Sequence, residues 1–146
     1  MRFMLMLKGD PPPGQMPPED LVTAMAEYDA ELNRAGVLLA AEGLYDSSKG
    51  ARVIYAKGNR TVVDGPFTES KELIAGFYLI EVKSLGEAIE WARRCPVDKA
   101  VEGTDWEAVV EIREVAEPMD IPTINAEQRE QAERTLLNRE NLKNRA

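Results

Sequence analysis

The chain opens on Arg2-Phe3-Met4-Leu5-Met6-Leu7-Lys8, apolar at odd and even positions alike between two cations. Side chains alternate across a strand, so a run apolar on both alternations predicts a central strand covered on both faces. Residues 9–18 hold five prolines and two glycines and predict a loop. The period then changes. Leu21, Ala24, Met25, Tyr28, Leu32 and Ala35 recur at three- and four-residue spacing, the stripe of a helix over residues 19–35. Glu19 and Asp20 suit its positive N-terminal end, and Gly36 ends it.

Residues 37–45 predict a second strand, apolar on both faces except at Glu42, with Gly43 marking a bulge or a close approach. After a turn at 46–50 come two short strand patterns, 51–56 and 60–63, joined by the turn dipeptide Gly58-Asn59. They read as an inserted hairpin. Asp64-Gly65-Pro66-Phe67 follows as a rigid corner, because Gly tolerates φ > 0 and Pro has no N–H to give a ladder. Residues 68–73 are a polar link and 75–83 a third core strand. Ser84 and Glu87 have capping-box spacing, opening a helix to Arg94 with Leu85, Ala88, Ile89 and Ala92 as its buried stripe. Residues 106–115 predict the last core strand, with Glu111 and Arg113 on one face and Val110 and Ile112 on the other. Beyond a linker at 117–123, Asn125 and Gln128 open a final helix to about residue 143. Its apolar positions, Ala132, Leu136, Leu137 and Leu142, are too few for it to stand alone.

The order β-α-β-(hairpin)-β-α-β predicts an α+β fold, a ferredoxin-like βαββαβ sheet with an inserted β-hairpin. Residues 1–116 form the domain and 117–146 a linker and C-terminal helix. Two helices cover one face of such a sheet. The other face keeps Met, Leu, Val and Tyr, and a homodimer through that face would cover it.

Composition narrows the function. A net charge of -8 opposes nucleic-acid binding, which needs a basic footprint. No apolar run approaches the roughly 20 residues of a membrane span, and residues 1–8 are too short for a signal peptide. A single cysteine, Cys95, fits a reducing compartment, so the expected location is cytoplasmic. There is no histidine, which removes the commonest general base and zinc ligand. No metal-spaced cluster or phosphate loop occurs, and no cofactor is expected.

The remaining candidates are carboxylates, arginines and tyrosines. Asp64 is open to two roles, a base at a cavity mouth or a turn-former capping backbone N–H groups. Glu81 and Glu111 interrupt apolar strands, where a covered carboxylate needs a partner; Arg113 lies two residues from Glu111, on the same face. Asp64, Glu81 and Glu111 are the candidate acid–base groups. Arg52, Tyr45, Tyr78 and Arg113 are candidate ligand contacts, the arginines suited to a small acidic molecule. Solvated hairpin charges, ion pairs and core aromatics are the structural roles open to the same residues.

The run Val63-Asp64-Gly65-Pro66-Phe67-Thr68-Glu69-Ser70-Lys71-Glu72, continuing through residue 82, resembles the signature of the DGPF proteins of the YCII-related family. Residues 1–8, the segment from Ser84 to Pro96, and Val110-Glu111-Ile112-Arg113 fit the same pattern, so the resemblance covers residues 1–115. It implies a ferredoxin-like fold of the dimeric α/β-barrel type and no established reaction. One branch is similar to isomerase-like or degradative enzymes with a His and Asp pair. This chain has no His, and Cys95-Pro96 stands where that branch has Asp-Pro, so the pair does not transfer. Some relatives accompany extracytoplasmic-type sigma factors, which implies a regulatory setting. Two readings result: a homodimeric small-molecule binder with a cavity near the corner, or a cofactor-independent lyase or isomerase using a carboxylate acid/base.

Overall fold

The structure, a computed structural model, describes residues 1–144, without the side chains of Leu142 and Lys143. Leu142, expected in the last helix's stripe, thus lies outside the described side chains. The chain divides into two compact units, Met1–Glu114 and Val115–Ala146.

The first unit contains β1 (Arg2–Lys8), α1 (Glu19–Arg34), β2 (Leu38–Gly43), β3 (Ala51–Ala56), β4 (Asn59–Asp64), β5 (Ile74–Glu81), α2 (Leu85–Arg94) and β6 (Val109–Glu114). It is a mixed α+β unit. Four strands form an open sheet in the order β2-β5-β1-β6, with every neighbouring pair antiparallel. β3 and β4 pair with each other as a separate two-stranded sheet. No sheet closes into a barrel. β1 and β2 run the same way with β5 between them, and β5 and β6 run the same way with β1 between them.

Side-chain alternation separates the sheet's two faces. Phe3, Leu5, Tyr78 and Ile80 point toward the helices and are almost fully buried with Tyr28, Leu32 and Ala88. Full burial of a side chain such as Phe3, Leu5, Leu32 or Ile80 contributes about 1.5–3 kcal/mol. The opposite face presents Met4 and Met6 on β1, Phe77 and Leu79 on β5, and Ala40 on β2, all half-buried. One register row across it reads Glu42, Phe77, Met6, Glu111; the next reads Ala40, Leu79, Met4, Arg113.

Several expectations shift. In α2 the inward residues are Ala88, Trp91 and Ala92, while Leu85 and Ile89 are 51% and 40% exposed. The helix is rotated so that the stripe continuing to buried Cys95 meets the core. Ser84 accepts Glu87 N–H at 3.1 Å, but the Glu87 carboxylate takes the N–H of Lys83, one residue earlier than a strict capping box. The last core strand starts at Val109 rather than 106. The Thr104 hydroxyl accepts Trp106 N–H at 3.2 Å, and Thr104 N–H donates to Val101 O at 3.0 Å; this turn leaves Trp106 exposed. The hairpin turns on Lys57 and Gly58, both with positive φ, and Asn59 already opens β4. Gly43 needs no special freedom. The tight position is its partner Gly76, where a Cβ would stand 2.8 Å from Glu42 O.

The second unit holds a short 3-10 turn, Pro118–Asp120, and α3 (Ala126–Lys143). Asn125 and Gln128 cap α3 reciprocally, each side chain accepting the other's N–H at 2.8–2.9 Å. Among its described side chains only Ala132 is half-buried; the rest are exposed.

Beneath α1 and α2 lies a small polar cluster. Tyr78 Oη donates to Asp29 Oδ1 and Tyr28 Oη to Trp91 O, each at 2.7 Å, with the two rings edge-to-face at 5.3 Å. Burial pushes the Cys95 thiol up to about 12. Burial also lifts both phenols above their ordinary range near 10, aided at Tyr78 by its bond to Asp29. The unfolded chain releases these protons at ordinary values, while the folded chain holds them. Their stabilisation is therefore complete below about pH 9 and is lost as pH rises. Denaturant midpoints should fall progressively above pH 9, and Tyr78→Phe should make that fall shallower. An unchanged slope in the variant would remove Tyr78 from this account.

Candidate functional site

The Asp-Gly-Pro-Phe corner is held by residues distant in sequence. Asp10, at the start of the proline-rich loop, accepts both the N–H (2.7 Å) and the hydroxyl of Ser47. Ser47 Oγ in turn accepts Phe67 N–H at 3.0 Å, and Gly65 N–H donates to Gly50 O at 3.0 Å. The Gly65–Pro66 bond is cis. A Cβ at Gly65 would lie 1.7 Å from Ser47 O, so no other residue fits there without moving backbone. Gly9 N–H to Leu73 O (2.8 Å) and Lys8 Nζ to Glu72 O (3.0 Å) fasten the loop to the link before β5.

Phe67 is half-buried, with the Arg52 guanidinium 3.9 Å from its ring centre. Arg52 also pairs with Glu69 at 3.3 Å. Glu69's own backbone N–H, and then Arg52, hold the Glu69 carboxyl below the usual carboxylate range. Arg52 is thus a buttress of the corner.

The candidate residues separate into three places. Asp64 ends β4 with its side chain exposed, and its carboxylate accepts no hydrogen bond among the described residues. The capping role open to it belongs instead to Asp10 and to Asp46, which receives Ser48 N–H at 3.0 Å. By register Asp64 and Arg52 project from opposite faces of the hairpin. Tyr45 is 79% exposed, with Lys49 Nζ 3.9 Å over its ring. Tyr78 lies under the helices, on the sheet face opposite Glu111.

Glu111 and Arg113 do meet, at 3.9 Å, on the face turned away from the helices. Glu81 shares that face but stands opposite Arg2, whereas Glu111 stands opposite Met6. Four residues of β1 separate them, about 13 Å along the strand. The gathered set is therefore Glu111 and Arg113 with Met6 and Phe77, and Glu42 stands at the far end of the same row, three strands from Glu111. Alternation along β1 and β2 could have placed Met6 and Glu42 there. Asp10 and Ser47 carried no local signal, since their roles rest on contacts 37 and 20 residues apart in the chain.

No group of His, Cys, Asp or Glu among the described residues could hold a metal ion. Two open grooves lie elsewhere. One of about 600 Å³ is lined by Glu19, Asp20, Thr23, Ala24, Glu27 and Lys99; another of about 330 Å³ lies along α2 beside Trp91 and Arg94.

Ser47→Ala should cost about 1–3 kcal/mol in denaturant unfolding, because it removes the hydroxyl that donates to Asp10 and leaves Phe67 N–H without its acceptor, while Asp10 keeps only the Ser47 N–H. Asp64→Asn should change stability by less than about 0.5 kcal/mol, the range of an exposed substitution. The reverse ranking would make Asp64, not Ser47, the structural post of the corner.

A 59-residue segment is 42% identical to an uncharacterized protein of Rhizobium meliloti (strain 1021), covering 40% of this chain. It spans 48% of that relative's length. The YCII-related domain matches residues 1–117. The chain belongs to the YCII-related domain family.

Proposed function

We propose that this protein is a homodimeric small-molecule binder, built from two ferredoxin-like βαββαβ sheets stacked as a dimeric α/β barrel. The ligand space lies between the sheets, toward the end from which the hairpin and its Asp-Gly-Pro-Phe corner emerge. The observation that carries this reading is the sheet face turned away from the helices. Met4, Met6, Phe77, Leu79 and Ala40 form its apolar centre, only half-buried, and charged residues frame it. The strand order β2-β5-β1-β6, with its interleaved βαβ units, supports the ferredoxin-like reading.

Within that space Arg113 is the anchor for a small acidic ligand. Its side chain is 73% exposed and its guanidinium meets Glu111 only at 3.9 Å, so an incoming carboxylate competes with a loose partner. Glu42 and Glu111, at the two ends of one row, select against ligands of excess negative charge. Binding is preferred to lyase or isomerase chemistry because the three candidate acids do not converge. Asp64 sits on the hairpin, and Glu81 and Glu111 stand at opposite ends of the sheet face. The regulatory setting of some relatives accords with a binder.

Light scattering should give twice the chain mass. Thermal-shift screening with small mono- and dicarboxylates should raise Tm, and Arg113→Ala should abolish the rise with the dimer intact. Ligand at a hundredfold excess over Kd stabilises by about 2.7 kcal/mol, well within reach of the measurement. A monomeric mass, or a shift indifferent to Arg113→Ala, would count against the proposal.

A further inference from the structure

Among the described residues nothing covers the Val53–Tyr55–Val62 face of the β3–β4 hairpin. Its strands pair only with each other, and an isolated two-stranded ribbon is marginal in water. By register one of its faces carries Ala51, Val53 and Tyr55 against Asp64, Val62 and Arg60. Val53, Tyr55 and Val62 there are 50%, 69% and 65% exposed, and the Arg60 guanidinium rests 5.2 Å from the Tyr55 ring centre. The base is fixed by the Ser47 and Gly65 bonds, so the arm is held out rather than loosely attached. Its charge is opposite to that of the whole. Residues 49–64 contain Lys49, Arg52, Lys57 and Arg60 against a single acid, Asp64, in a chain of net charge -8.

We infer that the hairpin is an exchange arm: its Val53–Tyr55–Val62 face docks on a second copy of this chain. It docks at the end of the sheet face that carries Glu42, Phe77, Met6 and Glu111. The two surfaces are complementary. The arm offers an apolar centre with Arg60 and Lys57 about it, and the sheet row offers Phe77 and Met6 between two glutamates. The geometry also suits reciprocity. The hairpin leaves the sheet between the end of β2 and the start of β5, the same end at which that row lies. A two-fold axis along the strands then brings each arm to the partner's row. A nucleic acid would meet only Arg60 and Lys57 about this face, with Asp64 at its base and a strongly acidic remainder, which disfavours it as the occupant. The arms would close the open end of the space between the sheets, so each binding site would include its partner's Tyr55 and Arg60. This inference rests on the sheet-to-sheet dimer proposed above.

The test combines a triple variant, Val53→Ser with Tyr55→Ser and Val62→Ser, and a photo-crosslinking benzoylphenylalanine at position 55. All three side chains are exposed, so the variant should melt like the parent when both are monomeric at high dilution. Sedimentation should show dimerisation weakened at least tenfold in the variant. Mixed isotope-labelled and unlabelled copies should yield crosslinks from position 55 of one copy to peptides containing residues 1–8 or 109–114 of the other. A dimer unaffected by the variant, with no crosslink between copies, overturns the arm and leaves the sheet-to-sheet dimer standing. A parent that is monomeric at every concentration overturns both. A fluorescent single-stranded oligonucleotide that binds the parent and is lost in the triple variant, with the dimer intact, overturns the second copy as the occupant.

Discussion

Everything in the first unit is referred to β1. Its backbone is paired along both edges, to β5 on one side and β6 on the other, so it has no freedom to slide alone. Its side chains are apolar on both faces but not equivalent: Phe3 and Leu5 fill the space under the helices, and Met4 and Met6 face away. A slip of one residue would exchange these sets and put flexible methionines where Phe3 meets Tyr28 and Leu32. The registers of β5 and β6 follow from that assignment, and β2 takes its register from β5. The placing of Glu111 opposite Met6, and hence the composition of the candidate site, is a consequence of how β1 chooses its faces.

A second constraint acts at the other end of the sheet. One serine joins two loops and a corner: Ser47 is held by Asp10 and itself holds Phe67. The corner has no ladder of its own, because Pro66 lacks an N–H and Gly65 must lie against the Ser47 carbonyl. The result is a hairpin with a rigid foot and an uncovered blade. Such an element keeps its direction without a core beneath it, which is what a surface presented to another molecule requires.

The fold was largely legible in the sequence because its signals are local. The two-faced apolar run of β1, the helical stripe ending at Leu32 and Gly36, and the Ser84 cap each depend on a few neighbouring residues. Errors arose where a local pattern had two solutions. Leu85 and Ile89 have the right spacing for a buried stripe, but the helix turns Trp91 and Ala92 inward instead. Trp106 looks like strand, yet a threonine hydroxyl nearby satisfies its N–H in a turn. The site was less legible. Glu111 and Arg113 could be placed together by strand alternation, whereas Tyr78 was separated from them only once the covered face was known. Asp10 and Ser47 were invisible, since nothing about an aspartate in a proline-rich loop announces a serine 37 residues away.

The meeting of β2 and β5 has a further consequence. Gly43 faces Gly76, and Leu44 N–H donates to Ala75 O at 2.8 Å, so the chain leaves the sheet and re-enters it across a single rung. The whole excursion through residues 45–73 is therefore a cassette with adjacent ends. Its further ties to the end of β1 and the loop beyond, Ser47 to Asp10, Gly9 N–H to Leu73 O and Lys8 Nζ to Glu72 O, also lie near its two ends, so the blade between them carries no part of the core's register. A fold arranged in this way lets the length and surface of its outermost hairpin be set independently of the sheet's registers.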